Sequence, residues 1–460
     1  MNPEQSADSA ALATEQEQPS AIKRALWALA WPVVAEQGLA MLTQVVDMSM
    51  VGRLGPRAVT AVGLTMHPFF LANALVMGLS VATTALAARA AGAGNREEAG
   101  RVTGQSILIA VVLGIAVASA GYVLAPQIVA FMRAGPDVAP MAILYVKAMM
   151  PGMVAFYVFT IATGALRGAG DTLSPMVINL ITNAVHVGTN FVLIFGYLGF
   201  PRLEVTGAGI STSISRILAA VLVLGVLSSS QGKLHVNWRN LLPFDWALFG
   251  RLINVGLPAA LERVLTSSGQ MMYSRQVAGL GTVPYAAHSL SLNVESFSYM
   301  PGMGFATAAT ALVGQNLGAG RPDRAEASAK EAMKFGVLTM GSMGALFFTF
   351  PQAFLKIFTD DAETIALAVP LLRIVAFTQI PEALGFVIPG ALRGAGDTRI
   401  AVYVTVAGMW IVRLGLTYLM MDVFHMGLEA AWIAMLMDWV VRSTLYAIRF
   451  KQGKWKELRV

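Results

Sequence analysis

The nine residues Gly164–Thr172, GALRGAGDT, occur a second time as Gly390–Thr398, an offset of 226 residues (390 − 164). The same offset holds elsewhere. Leu54-Gly55 returns as Leu280-Gly281, Thr84-Ala85-Leu86 as Thr310-Ala311-Leu312, and Gly92-Ala93-Gly94 as Gly318-Ala319-Gly320. Pro32 and Glu36 return as Pro258 and Glu262. A gap-free offset from Pro32 to Thr172 makes the chain a tandem duplication, so both halves must be built on one plan.

Composition says what plan. Of 460 residues, 56% are hydrophobic and 13% charged, against about 25% charged in ordinary soluble domains. Apolar runs of about 20 residues recur along the chain, long enough to cross a hydrocarbon layer of about 30 Å. A soluble solenoid would need polar faces that these runs lack. There is no cysteine, which excludes a disulfide framework and any Cys-ligated metal. Residues 1–21 carry only acidic charges (Glu4, Asp8, Glu15, Glu17) among Ala, Gln and Ser. They read as a disordered tail, without the basic start and cleavage site of a signal peptide.

The expected fold is an all-α polytopic membrane protein of twelve transmembrane helices, in two pseudo-symmetric six-helix bundles. The first lobe, 22–228, holds helices at about Ile22–Val51, Val59–Ala90, Val102–Leu124, Met141–Leu166, Leu173–Phe195 and Gly207–Leu227. A polar linker, 229–246, precedes a second lobe, 247–450, with helices at about 247–278, 284–315, 327–349, 364–392, 400–421 and 427–449. Residues 451–460 form a basic tail. Even-numbered bundles put the two repeats in the same orientation, related by an axis along the membrane normal. One set of loops and tails carries 20 basic residues, including Lys23, Arg24, Arg167, Arg239, Arg393 and Arg459. The opposite set holds five: Arg53, Arg57, Arg133, Arg202 and Lys356. Both termini are therefore expected in the cytoplasm, in a prokaryotic plasma membrane. The net charge of +6 follows from this asymmetry, and no nucleic-acid partner is expected.

In the repeated loop, the glycines suit the left-handed turn that ends a helix. Arg167 and Arg393 lie at helix C-termini, where a cation complements the dipole and can reach lipid phosphate. Asp171-Thr172 and Asp397-Thr398 offer N-cap oxygens to the next helix.

Three stretches together resemble the multidrug and toxic compound extrusion (MATE) transporters. They are Asp47–Gly55 (DMSMVGRLG), LRGAGDT in both halves, and Met300–Gly320 (MPGMGFATAATALVGQNLGAG). The resemblance spans about Trp27 to Phe450 and is nearest the DinF-like branch. It implies two six-helix lobes around a cleft, and export of small amphipathic, usually cationic, compounds against inward flow of Na⁺ or H⁺. No resident cofactor is implied, and a monomer in contact with membrane lipids is expected.

Charges inside apolar helices are costly and invite explanation. In the first helix, Glu36, Ala40, Thr43 and Asp47 fall on one face. Pro32 can kink the helix just before Glu36, and Pro258 repeats it. Asp47 matches the family's acid in this helix. The family's usual Asn and Asp on the fifth helix correspond to His186 and Asn190 here. The second carboxylate is thus missing, which weakens a Na⁺ site at Asp47 and Asn190, since hard cations want charged oxygens. A histidine beside a carboxylate suits proton exchange, its unperturbed pKa being about 6.5. Asn179, Asn183 and Thr212 could complete the cluster. Each of these polar groups could equally serve only as interhelical glue.

In the second half, Glu382 corresponds to an acid used by one branch of the family. That branch's helix-7 acid falls on Thr266, with Glu262 one turn earlier. Glu295 is a further candidate that could simply pair with Arg263 or Arg275. Lys147 and Arg373, 226 apart, suggest lobe packing. Gln44, Tyr157, Tyr273, Phe69, Phe70, Phe297 and Tyr299 are candidates to line a substrate cleft, as are flexible methionines such as Met41, Met48 and Met271.

The leading expectation is a secondary antiporter working by alternating access. The alternative is a flippase or exporter of a lipid-linked metabolite, which would want a strongly cationic cleft. An enzyme is not expected, since neither HExxH nor DDxxD occurs and the five histidines (His67, His186, His235, His288, His425) are scattered. No GxxxxGK[ST] nucleotide motif is present, so energy must come from an ion gradient unless another chain supplies it.

Overall fold

The computed structural model describes residues 19–238 and 243–458. Most of the expected N-terminal tail (1–18), Arg239 and Asn240 of the linker, Arg459 and the Phe70 side chain lie outside the described residues. Residues 19–21, assigned to that tail by composition, instead open the first helix.

The first half runs α1 Pro19–Gly52, α2 Pro56–Ala72, α3 Ala74–Gly92, α4 Arg96–Val123, α5 Ala125–Phe131, α6 Ala139–Met149, α7 Pro151–Gly168, α8 Leu173–Phe195 and α9 Glu204–Ser228. The second runs α10 Trp246–Ala278, α11 Thr282–Gly318, α12 Pro322–Thr349, α13 Pro351–Leu355, α14 Ala362–Gly394, α15 Arg399–Val423 and α16 Leu428–Lys451. With α2 and α3 as one broken span, α6 and α7 as another, and α5 and α13 as short connectors, these make the twelve spans expected from the sequence. Among the described residues, nine helices pass as membrane-crossing on length and apolarity, and ten with the α6–α7 pair. The long helices α10 and α11 fall short because of their polar residues, among them Glu262, Arg263, Arg275 and Glu295.

Two spans expected to be continuous are broken. The chain bends by 49° between α6 and α7, where Pro151 has no N–H to continue the ladder. The α2–α3 break falls at Asn73, and the Tyr157 hydroxyl donates to the Ala72 carbonyl at 2.9 Å. α15 contains π-helical turns at Val406–Arg413 and Tyr418–Val423, which shift its side chains relative to α8.

Local chemistry sets the ends. Gly170 and Gly396 have φ of 86° and 85°, the left-handed turn that glycine reaches without strain. Asp171 caps α8, accepting from the Ser174 amide at 3.0 Å. Its repeat Asp397 does otherwise and holds the Arg449 guanidinium at 2.7 Å. Asp245 accepts from the Leu248 and Ala247 amides, both at 3.0 Å. The Leu248 amide bond, with the Arg101 charge, holds this loop carboxyl below its usual range.

The lobes expected at 22–228 and 247–450 and the compact units of the structure divide the chain differently. One unit is 35–260; the other is 261–460 together with the chain up to Val34. α1 and α10 thus each change unit part-way, two residues after Pro32 and Pro258 respectively. Within the 35–260 unit, a side chain at Gly78 of α3 would strike Gly256 and Ala260 of α10. Within the other, one at Gly304 of α11 would strike Val34 and Ala30 of α1. These contacts are the same pair in each repeat, and both need glycine for close backbone approach. The first half of α1 also buries Leu26, Leu29 and Ala30 against Phe305, Ala308 and Val313.

A helix that passes from one unit to another through an interior proline has a ready bending point. Pro258→Ala should restore an N–H in α10 and leave the thermal midpoint unchanged or higher, while slowing transport several-fold. Scanning fluorimetry and reconstituted transport, run side by side, check both halves of that expectation.

Candidate functional site

Asp47 lies on α1 near its end. Its neighbours Ala40, Thr43, Gln44 and Met48 share a helical face because they recur at three- and four-residue spacing. That face lines a cavity of about 250 Å³ in the 35–260 unit, with Met66 of α2, Tyr145 of α6, Asn183 and Asn190 of α8, and Ala208 and Thr212 of α9. The Asp47 side chain is 34% exposed, and His186 opposite it only 9%.

Around Asp47 the geometry is tight. His186 Nε2 lies 2.9 Å from one carboxylate oxygen. Asn190 Nδ2 donates to the other at 2.7 Å. On the far side of the imidazole, Nδ1 faces the Ser211 and Ser215 hydroxyls at 3.4 and 3.3 Å. His186 and Asn190 are one turn apart on α8, and Ser211 and Ser215 one turn apart on α9, so two helix faces close on one ring. A hydroxyl can donate to an imidazole nitrogen or accept from it. The ring can therefore gain a proton with a partner waiting on each nitrogen, turning the pair from Asp⁻/His into Asp⁻/His⁺.

For Na⁺ the donor set is thinner. It offers one carboxylate, half of it taken by the imidazole, and Asn190 Oδ1, which is buried without a hydrogen-bond partner. No group of three His, Asp or Glu side chains suited to a metal occurs among the described residues.

The other expected members of this site are divided. Gln44, Asn183 and Thr212 line the cavity. Glu36, eleven residues before Asp47 and about 16 Å along the helix, belongs to a separate cluster. Both its oxygens lie 2.7 Å from Arg167 Nη2, and Asn179 donates to it at 2.5 Å. Tyr157 is fully buried on the Ala72 carbonyl. The repeat reproduces the ion pair, with Glu262 2.9 and 2.8 Å from Arg393. Arg167 and Arg393 thus turn inward onto carboxylates, where lipid phosphate was the expectation; a fixed carboxylate within reach outcompetes a mobile headgroup.

In the unit containing 261–460, Glu295 of α11 and Glu382 of α14 are buried as neighbours. Glu295 does not pair with Arg263 or Arg275, both exposed on other faces of α10. Its neighbouring cation is Arg413 of α15. Arg413 and Arg442 clamp Asp438 at 2.7 and 2.5 Å, and Arg413 also reaches Gln270 at 3.4 Å. Tyr273, the repeat of Asp47, is fully buried and donates to the Ala431 carbonyl at 2.9 Å. Thr266 is half-buried one turn beyond Glu262. His288 is buried among Tyr273, Tyr285 and Trp432.

Motif reasoning misses Arg216, Arg413, Arg442, Asp438 and His288. A signal was available. Arg216, Arg413 and Arg442 all fall inside apolar helical segments and in no loop. The Asp438–Arg442 pair also stands at i, i+4 within the last helix.

The MatE family signature matches residues 32–192 and 258–419, one match per repeat. The chain belongs to the MatE family and is a membrane transporter. It is 30% identical over 446 residues to the "Probable multidrug resistance protein NorM" of Thermotoga maritima, covering 97% of this chain and 96% of that one. It is 31% identical to the protein of the same name from Rhodopseudomonas palustris, covering 92% and 90%. Its fold matches a transporter of the MOP superfamily from Pyrococcus furiosus with a TM-score of 0.87 at 21% identity, over 95% and 97% of the chains. It matches an outward-facing multidrug resistance MATE transporter equally well, 0.87 at 22% identity over 94% and 97%.

Removing one partner of a buried ion pair typically costs about 3–5 kcal/mol; Arg167 is a quarter exposed, so Glu36→Gln should cost about 2 kcal/mol. The double variant Glu36→Gln/Arg167→Gln should recover more than half of that loss, since no uncompensated charge is left. Thermal midpoints of the three proteins decide it, and simple additivity would count against the pairing.

Proposed function

We propose that this chain exports amphipathic, often cationic, compounds across a prokaryotic plasma membrane in exchange for protons, with Asp47 and His186 as the coupling site. The observation that carries the reading is the imidazole held between a cavity-facing carboxylate and two serine hydroxyls. Multidrug resistance relatives aligned over nearly the whole chain support the substrate class. The 20-to-5 distribution of basic residues supports cytoplasmic termini, and the protein is read as a monomer in contact with lipid.

With His186 neutral, Asp47 presents one negative charge to the cavity and attracts a cationic amphiphile. A proton taken by the pair cancels that charge. Each 1.4 kcal/mol of attraction lost weakens substrate tenfold. Proton and substrate thereby exclude one another, as exchange requires. Asn190 supports the anionic oxygen, Asn183, Thr212 and Gln44 line the substrate's path, and α1 bends at Pro32 with α10 following at Pro258. In the other unit, Glu295 and Glu382 form a second acid site, which takes up a proton when empty and releases it to water in exchange for an incoming cation. Glu262 stays paired with Arg393 and serves as an anchor for α10, as Glu36 does for α1.

Proteoliposomes loaded with a fluorescent cation test the coupling. An imposed pH gradient should drive efflux, Asp47→Asn should reduce it more than tenfold, and a Na⁺ gradient at constant pH should drive none. Efflux driven by Na⁺ alone would falsify proton coupling and return Asp47 with Asn190 Oδ1 as a cation site. No efflux under either gradient would favour export of a lipid-linked metabolite. In the second acid site, Glu382→Gln should at least halve the protons moved per substrate if both sites couple, measured with a pH dye inside the same vesicles; an unchanged ratio would leave Asp47–His186 as the sole coupling site.

A further inference from the structure

Arg216 stands on α9 one turn beyond Thr212, a residue of the cavity wall. Its guanidinium lies over the rings of Phe69 and Phe156, 4.9 and 4.7 Å from their centroids, and Nη1 is 3.5 Å from Met153 Sδ. No carboxylate lies within ion-pair distance of it among the described residues. Arginines similarly placed inside the bundles are matched: Arg167 by Glu36, Arg393 by Glu262, and both Arg413 and Arg442 by Asp438. A cation among apolar helices without a counter-charge is expensive, and aromatic faces offset only part of that.

The duplication sharpens the contrast. At an offset of 226, Phe69 and Phe156 correspond to Glu295 and Glu382. The second repeat carries two carboxyl groups at those positions, near Arg413, where the first carries two rings; Arg442, the counterpart of Arg216 itself, pairs with Asp438, whose counterpart is the uncharged Thr212. The missing negative charge has somewhere to come from. Phe69 is the next turn of α2 after Met66, and Arg216 the next turn of α9 after Thr212; both Met66 and Thr212 line the cavity. Tyr145 lines it too, and feels the charges of both Asp47 and Arg216. The cavity is thus flanked by an anion on α1 and, one layer on, an unmatched guanidinium on α9.

Resting on the efflux reading above, we infer that Arg216 is a specificity-determining residue that receives an anionic group, a carboxylate above all, of a substrate whose cationic end meets Asp47. The preferred cargo is then a zwitterionic amphiphile. A guanidinium suits this because its fork binds both carboxylate oxygens, and the rings hold it by its face, leaving every N–H free except the one on Met153 Sδ.

Rhodamine B and its ethyl ester form the test pair, since they differ only in whether the carboxylate is free. Binding to the purified full-length protein is read by fluorescence polarisation, and export from proteoliposomes under a pH gradient. The native protein should bind rhodamine B at least as tightly as the ester. Arg216→Gln should weaken rhodamine B at least tenfold more than the ester. Arg216→Lys, which keeps the charge without the fork, should fall between the two. An unchanged ratio of the two affinities in Arg216→Gln, or a native protein that prefers the ester, overturns the assignment. The native comparison needs no variant to fold. If Arg216→Gln weakens both dyes alike while both are still exported, Arg216 is excluded and multidrug efflux stands; if neither dye is bound or exported, the efflux reading fails and this one with it.

Discussion

Inside a bundle of apolar helices, a charge must find its partner in the protein, because hydrocarbon supplies none. Glu36 with Arg167, and Glu262 with Arg393, are the twin solutions on which the rest of the arrangement depends. Each glutamate sits on a helix that has just left one compact unit for the other, two residues past the crossing. Each arginine sits in the repeated LRGAGDT turn, which glycine lets double back at once into the next helix. The pairs therefore anchor the two crossing helices at the point where they would otherwise be least constrained, next to a proline. With those carboxylates saturated, Asp47 is left as the carboxylate on α1 that faces a cavity and an imidazole.

That division of labour separates scaffold from chemistry. The Gly78 and Gly304 contacts, the left-handed Gly170 and Gly396, and the two Glu–Arg pairs recur at one offset and hold the same backbone twice. The polar layers diverge. The first repeat places Asp47, His186 and two serines around a cavity, with a guanidinium on aromatic rings beyond it. The second replaces Asp47 by Tyr273 and the two rings by Glu295 and Glu382, and adds an Asp438 clamped by two arginines. A duplicated frame thus carries two unlike electrostatic interiors, one with a carboxylate facing a cavity and the other with two buried neighbouring acids. Each interior is held by interhelical bonds, so it can differ from its counterpart without altering the helices.

Much of the frame was legible because it is written in local signals. Long apolar runs, an offset of 226 and a bias of basic loops are properties of the chain, and they lead directly to twelve helices in two related sets. Asp47, His186 and Asn190 could be singled out because an acid, an imidazole and an amide are conspicuous in apolar helices. That they meet could not. The reading that gave Arg167 and Arg393 to lipid, and Glu295 to Arg263 or Arg275, failed because sequence spacing gives the face of one helix and not the phase of its neighbour. The π-helical turns of α15, one of which ends at Arg413, show the same limit, since nothing in the composition marks them.

By itself, then, the sequence determined the number and kind of elements, the duplication and the residue types available for coupling, because helix formation and membrane insertion depend on neighbours along the chain. Only the tertiary structure decided that α1 and α10 pass between units, that Glu36 is an anchor where Asp47 is open, and that Arg216 faces rings instead of carboxylates. Those outcomes depend on which side chains from distant segments come within about 3–5 Å of one another, and in a low-dielectric interior that proximity decides whether a charge is scaffold or chemistry.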